Sequence, residues 1–439
     1  MRLTFLKNKE VKNAGWIMGG HIIQMVLSLF VGVITARYLG PSNYGLISYA
    51  ASFTAFFTSL CTLGLNSILV KEFIENPEEE GKIIGSALFM RAISSFCSAL
   101  IIVLIVSVVD AGEKTTITVV ALCSIGVLFH IFETLKYWFQ SHLNSKVTAM
   151  VALIAYVIMA VYKIALLILG KNVKYFAFAT SVDYICVAVL LLIAYYKNGG
   201  RKLEVSLNTS KRMIKQSYHY IISGLMTAIY AQTDKLMLKQ MLGTTEVGYY
   251  ATATAICSMW VFILSAIIDS LRPSIIAAYS KDKTIFLKRN KQLYAIVFYI
   301  SLFVSLMFQI FAPLVIRILY GQAYLPSVTP LRVVTWYTAF SYLGVARNPW
   351  IVCEGKQKYL KYIYSLAAII NVILNFMFIP LLGAAGAALA SLISQMFTSI
   401  ILPYFIKELR PNAKLMLEAI FLKGIKKEKY SCHFLKEKL

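Results

Sequence analysis

Residues 36–50 read ARYLGPSNYGLISYA, and residues 239–253 read KQMLGTTEVGYYATA. Both place Leu-Gly at the end of an apolar run, a second glycine five positions on, and a Tyr/Ala-rich continuation. Aligned at an offset of 203, Leu39-Gly40 meets Leu242-Gly243, Gly45 meets Gly248 and Asn66-Ser67 meets Asp269-Ser270; at 212, Trp138 meets Trp350 and Lys146 meets Lys358. The chain therefore says the same thing twice. Gly40-Pro41 and Gly243 fall where a helix must stop and reverse, which is ordinary turn chemistry.

What surrounds the repeated stretch decides the solvent. Hydrophobic residues make up 59% of the chain and charged residues 14%, with a mean hydropathy of +0.70; soluble domains are roughly 45–50% apolar. Twelve stretches approach the roughly 20 apolar residues of a membrane span, near residues 14–37, 44–70, 83–109, 115–141, 146–169, 174–196, 216–242, 249–279, 292–319, 330–353, 359–381 and 384–407. Runs such as SALIIVLIVSVV are continuously apolar, whereas barrel strands alternate. The expected fold is an all-α polytopic membrane protein. Its domains are an N-terminal lobe over 1–200, a linker over 201–215, a C-terminal lobe over 216–407 and a basic tail over 408–439.

The net charge of +23 could suggest nucleic acid, but its distribution follows membrane topology. With the N-terminus inside, 31 Lys/Arg fall on the interior face, and only Arg37, Lys114, Lys171, Lys174, Lys239, Arg317 and Arg332 fall outside. The positive-inside rule then places both termini in the cytoplasm. The seven cysteines form no CxxC pair and predict neither a metal site nor a disulfide framework. The first apolar stretch is too long for a signal peptide and is read as a retained helix.

Because each copy has an even number of spans, the repeats are parallel, an arrangement that commonly encloses a central site. Advancing about 100° per residue, four helices carry a polar stripe. Helix 7 aligns His219, Ser223, Thr227, Tyr230 and Asp234; helix 1 aligns Asn13, His21, Gln24, Ser28 and Thr35; helix 8 aligns Thr254, Ser258, Ser265, Asp269 and Arg272; helix 2, more weakly, Ser48, Ser52, Ser59 and Asn66. These are repeat-equivalent pairs and are expected to wall one cavity. Taken singly, Ser, Thr and Asn also serve simply to hold helices together.

Charge inside a span costs about 2.5–3.5 kcal/mol even on the lenient scale, so Asp234, Lys235, Asp269 and Arg272 should face protein or water. Asp269 and Arg272 are spaced to neutralise each other; local pairing and ligand contact both fit. Arg91 and Glu133 lie at similar depth and are expected to pair, as are Lys163 and Asp183. Arg37 points away from the helix 1 stripe and suits a snorkelling role.

The segments ARYLGPSNYGLISYAASF, LGLNSILVKEF, AQTDKLMLKQMLGTTEVGYYATA, FAPLVIRILYGQAY, LRVVTW and GAAGAALASLISQ, in this order and spacing, resemble the Wzx-type polysaccharide flippases of the MOP superfamily, which includes lipid II flippases of the MurJ type and MATE exporters. The resemblance implies two six-helix lobes in a V shape in the bacterial inner membrane. It also implies transfer of an undecaprenyl pyrophosphate-linked oligosaccharide from the cytoplasmic to the periplasmic leaflet. The product would feed O-antigen or capsule assembly, with a polysaccharide polymerase and chain-length regulator as partners. Hydroxyl and amide walls suit a sugar head, and Lys235 and Arg272, then Lys239 and Arg37, suit the pyrophosphate. Tyr230, Tyr249 and Tyr250 offer rings for sugars, although interfacial anchoring explains tyrosines as well.

The resemblance implies a transporter rather than an enzyme, with no cofactor, no metal and no nucleic acid among its expected ligands. No GxxxxGK[ST] motif occurs, leaving ion coupling through His21, His219 or Asp234 as a source of direction. Two alternatives share the architecture. A MATE-like exporter of organic cations would favour an acidic cavity, and a membrane scaffold for glycosyltransferases would work through its basic loops.

Overall fold

The computed structural model describes residues 9–423; the side chains of 9–18, 20–22, 26 and 223 lie outside the description, and with them the Asn13, His21 and Ser223 positions of the stripes. All long elements among the described residues are helices: α1 (Lys9–Cys61), α2 (Glu80–Val109), α3 (Lys114–Phe129), α4 (Ser145–Ile168), α5 (Val173–Lys197), α6 (Leu207–Leu242), α7 (Thr244–Tyr279), α8 (Lys283–Leu319), α9 (Val328–Ala346), α10 (Leu360–Leu382), α11 (Ala384–Met396) and α12 (Arg410–Ile420). Nine described helices are long and apolar enough to cross a bilayer.

The first of these nine is two helices. Gly40 breaks α1 with φ 71° and ψ 170°, a conformation essentially reserved for glycine, and Pro41 opens the second arm as a helix-starting residue. Gly243 repeats this between α6 and α7, with φ 93° and ψ 179°. Helices α6 and α9 have span length, 36 and 19 residues, but are too polar to qualify on composition. Counting these and both arms of α1, the twelve expected spans are present.

Compactness groups Met1–Ala251 with Leu319–Tyr324 as one unit, and Thr252–Ile318 with Leu325–Leu439 as another. The duplication pairs α6 with α1, yet α6 packs with the first unit because it contacts both α1 and α2. In the first unit, Leu65, Leu69, Phe73, Ile83, Trp138, Phe139 and Tyr195 form a core, and the Trp138 indole donates to Glu80 at 2.9 Å. In the second, Phe286, Leu293, Tyr294, Trp350 and Ile363 do so, so the repeat-equivalent Trp138 and Trp350 each anchor their own unit. Small residues of α11, including Gly386, Ala387, Ala390 and Ser391, are buried and let neighbouring helices approach closely.

Residues at the start of the expected linker form a strap held against the first unit. Glu204 N–H donates to the Gly81 carbonyl at 3.1 Å. The Ser86 hydroxyl donates to Ser206 O at 3.1 Å and accepts from Ser206 N at 2.9 Å. Any side chain on Gly81 or Gly85 would strike the backbone of Lys202 or Glu204. Arg212 holds Glu72 at 3.0 Å and Glu79 at 3.3 Å, and Ser206 caps α6, which therefore starts inside the expected linker. The basic tail likewise begins as structure: Asn412 of α12 donates to Tyr294 at 2.7 Å, and Lys291 pairs with Glu418 at 2.6 Å.

Candidate functional site

The repeated glycines meet. A Cβ on Gly45 would land on the Thr244 carbonyl oxygen, and one on Gly248 would land on the Pro41 carbonyl oxygen. Pro41 and Thr244 are themselves equivalent at the offset of 203, so the second arm of α1 and the start of α7 touch backbone to backbone in a reciprocal contact. Ser42 and Thr244 share a hydrogen bond of 2.9 Å beside it. Tyr324 donates to the Ala36 carbonyl at 2.7 Å. Burial pushes its phenol, like that of Tyr320, above the ordinary tyrosine range, so it stays a donor.

A buried polar cluster completes this end of the unit. The Lys239 ammonium pairs with Asp110, and with Glu113 at 3.0 Å. Asp110 also accepts from Tyr49 at 2.8 Å and from Gln240 at 2.9 Å, and Gln240 donates to Tyr49 at 2.7 Å. Lys239 is 6% and Asp110 3% exposed, so each neutralises a charge the other could not leave alone. Lys239, expected among the pyrophosphate ligands, is thus engaged by two carboxylates. Its partners were missed; the available signal was two acids in the DAGEK turn, on the same side of the membrane as a lone helix-end lysine.

The remaining stripe residues of the first unit divide by exposure. Ser28, Arg37, His219 and Thr227 are exposed, and Gln24, Tyr230 and Lys235 are half-buried. His219 stacks on Tyr218 at 3.7 Å. Asp234 is buried and accepts from Tyr250 at 2.5 Å. Asn66, half-buried, accepts from Arg91 at 2.5 Å.

The Arg91–Glu133 pair does not form. The Arg91 guanidinium is taken by Asn66, Thr62 O at 3.2 Å and Thr134 at 2.8 Å, while Glu133 holds Lys136, and His130 at 3.0 Å. A 3₁₀ turn over His130–Glu133 shifts the side-chain azimuth that a regular helix would give. Lys163 and Asp183 feel each other's charge but make no salt bridge among the described residues.

In the second unit, α7 presents Ser258, Asp269 and Arg272 on an exposed face. Asp269 and Arg272 pair at 3.3 Å with side chains 67% and 44% exposed, so local pairing is present. Ser265 donates to Tyr342 at 3.4 Å. Arg347, 2% exposed, was not singled out in the sequence; it donates to the Thr398 carbonyl at 3.3 Å, in a π-helical turn over Phe397–Ile401 that alters the helix's own hydrogen bonding.

The first unit also carries a half-open cavity of about 320 Å³, lined by Gln24, Glu133, Lys136, Thr148, Tyr156 and Asp183 among others. No cluster of His, Cys, Asp and Glu among the described residues is placed to hold a metal ion.

The profile of the family described as Polysaccharide biosynthesis protein matches residues 11–278. The capsular polysaccharide biosynthesis protein CapF of Staphylococcus aureus is 20% identical over 412 residues, covering 91% of this chain and all of its own length. Two solved structures share the fold. An inward-facing multidrug resistance MATE family transporter of the MOP superfamily has a TM-score of 0.70, 15% identity, and covers 90% of this chain and 96% of its own. The lipid II flippase MurJ, inward closed, has a TM-score of 0.69, 16% identity, and covers 94% and 93%.

Proposed function

The chain belongs to the polysaccharide biosynthesis protein family, and from that premise we propose that it is a flippase carrying undecaprenyl pyrophosphate-linked oligosaccharide units from the cytoplasmic to the periplasmic leaflet by alternating access. It sits in the bacterial inner membrane with both termini and the strap in the cytoplasm and the Gly40 and Gly243 turns outside. The family and its relative support this class of cargo, and the fold shared with membrane transporters is consistent with this mode of handling it. The cargo passes on to a polymerase and chain-length regulator, and ion coupling gives the direction.

The observation carrying the reading is the Asp269–Arg272 pair, exposed within a membrane-spanning helix at about 10–15 Å from its end by the helical rise. Exposed charge at such a place belongs against water rather than lipid. A wet polar face beside hydrocarbon is what a lipid with a large hydrophilic head requires: the head crosses in water while the tail stays in lipid.

The test is reconstitution in vesicles with a lipid-linked oligosaccharide made on one face and scored on the other. The wild type moves it, and Arg272→Ala slows transfer by tenfold or more. Equal rates in protein-free vesicles would end the proposal.

A further inference from the structure

The cavity in the first unit has no role in the polar cluster or the glycine contact, and its chemistry is specific. Glu133 is already neutralised by Lys136 and His130. Asp183 is half-buried, lines the cavity, and has no hydrogen-bond or salt-bridge partner among the described residues. Gln24 brings an amide, Thr148 a hydroxyl, and Tyr156 and Tyr184 aromatic side chains, the second also against the His130 ring.

Three properties select the occupant. A volume of about 320 Å³ lies at the lower end of small-molecule pockets and equals roughly ten waters at about 30 Å³ each. That is far more than a dehydrated cation needs, with ligand distances of about 2.3–2.6 Å. Glu133 and Asp183 balance the lysines beside them, Lys136 on the lining and Lys163 next to Asp183, so the cavity offers no excess positive charge to phosphate. An open carboxylate acceptor, an amide and aromatic faces match a ring bearing hydroxyl or amino donors on its edge and C–H groups on its face.

We infer that this cavity is a sugar subsite: it receives one ring of the transported oligosaccharide, with Asp183 accepting hydrogen bonds from its hydroxyl or amino groups and Tyr156 packing on the ring, while the pyrophosphate stays outside. The inference rests on the flippase reading and refines it. It makes Asp183 a specificity-determining residue, rather than half of a structural ion pair with Lys163.

The test uses full-length protein in nanodiscs and free ligands as probes: glucosamine, N-acetylglucosamine, glucose, inorganic pyrophosphate and sodium chloride. Saturation-transfer NMR detects at least one sugar at millimolar concentration. Asp183→Asn weakens its binding about tenfold or more, as loss of a charged acceptor does, and Tyr156→Ala does the same with unchanged melting temperature. Pyrophosphate and sodium do not displace the sugar. Absence of sugar signal, undiminished binding in both variants, or displacement by sodium or pyrophosphate overturns the inference. The vesicle assay separates the two claims. Wild-type transfer without sugar binding here sinks the subsite alone, whereas no wild-type transfer sinks the flippase reading on which it rests.

Discussion

Replacing Lys239 with alanine is the sharpest perturbation of the first unit. The substitution removes an ammonium contacted by Asp110 and Glu113. Glu113 has a side chain 52% exposed and turns to water, a change worth at most about 1 kcal/mol. Asp110 cannot do so. It is 3% exposed, and its two remaining donors, Tyr49 and Gln240, are neutral. Breaking a buried pair from one side costs about 3–5 kcal/mol. At about 2–4 °C per kcal/mol for a unit of this size, melting in detergent, followed by tryptophan fluorescence, falls on the order of 6–20 °C. The double variant Lys239→Met, Asp110→Leu removes both charges together and recovers most of the loss, since apolar replacement of a buried pair is often neutral. A drop below about 2 °C for Lys239→Ala, or a double variant no better than the single one, refutes the reasoning.

Gly248→Ala forces the Pro41 backbone away, and oxidative cross-linking between Ser42→Cys and Thr244→Cys, efficient in an otherwise native background, falls severalfold. Ser86→Ala strips the Ser206 backbone of both its bonds to that hydroxyl. It should cost about 1–3 kcal/mol, read as faster proteolysis of residues 198–206. Tyr320 and Tyr324 ionise later in the folded chain than in the unfolded one. Their contribution is complete below about pH 10 and is lost as pH climbs toward the raised folded values; melting measured from pH 9 upward falls less steeply in Tyr324→Phe than in wild type.

The fold was legible because its two signals are strong and local. Long apolar runs dictate spans, and Gly40 and Gly243 occupy backbone conformations that other residues avoid. The reciprocal seating of Gly45 and Gly248 gives the duplication a physical cause, since equivalent positions must both lack a side chain to pack against each other. The pairing of charges was less legible. Depth along a helix can be counted from a turn, but azimuth cannot once a 3₁₀ turn intervenes, and Arg91 and Glu133 each take other partners. The Asp110–Lys239 pair and the strap on Gly81 and Gly85 join segments more than a hundred residues apart, and nothing in either segment alone announces the other.

The account stands on the polar face of α7 meeting water inside the membrane, and maleimide labelling measures this directly. With the seven native cysteines replaced, Ser258→Cys and Asp269→Cys lie on nearly the same azimuth, while Ile263→Cys, exposed at 43%, lies about 140° from Ser258. In vesicles, a membrane-impermeant maleimide is predicted to modify positions 258 and 269 and to spare 263. Protection of both polar positions, or equal reaction at all three, would contradict the account.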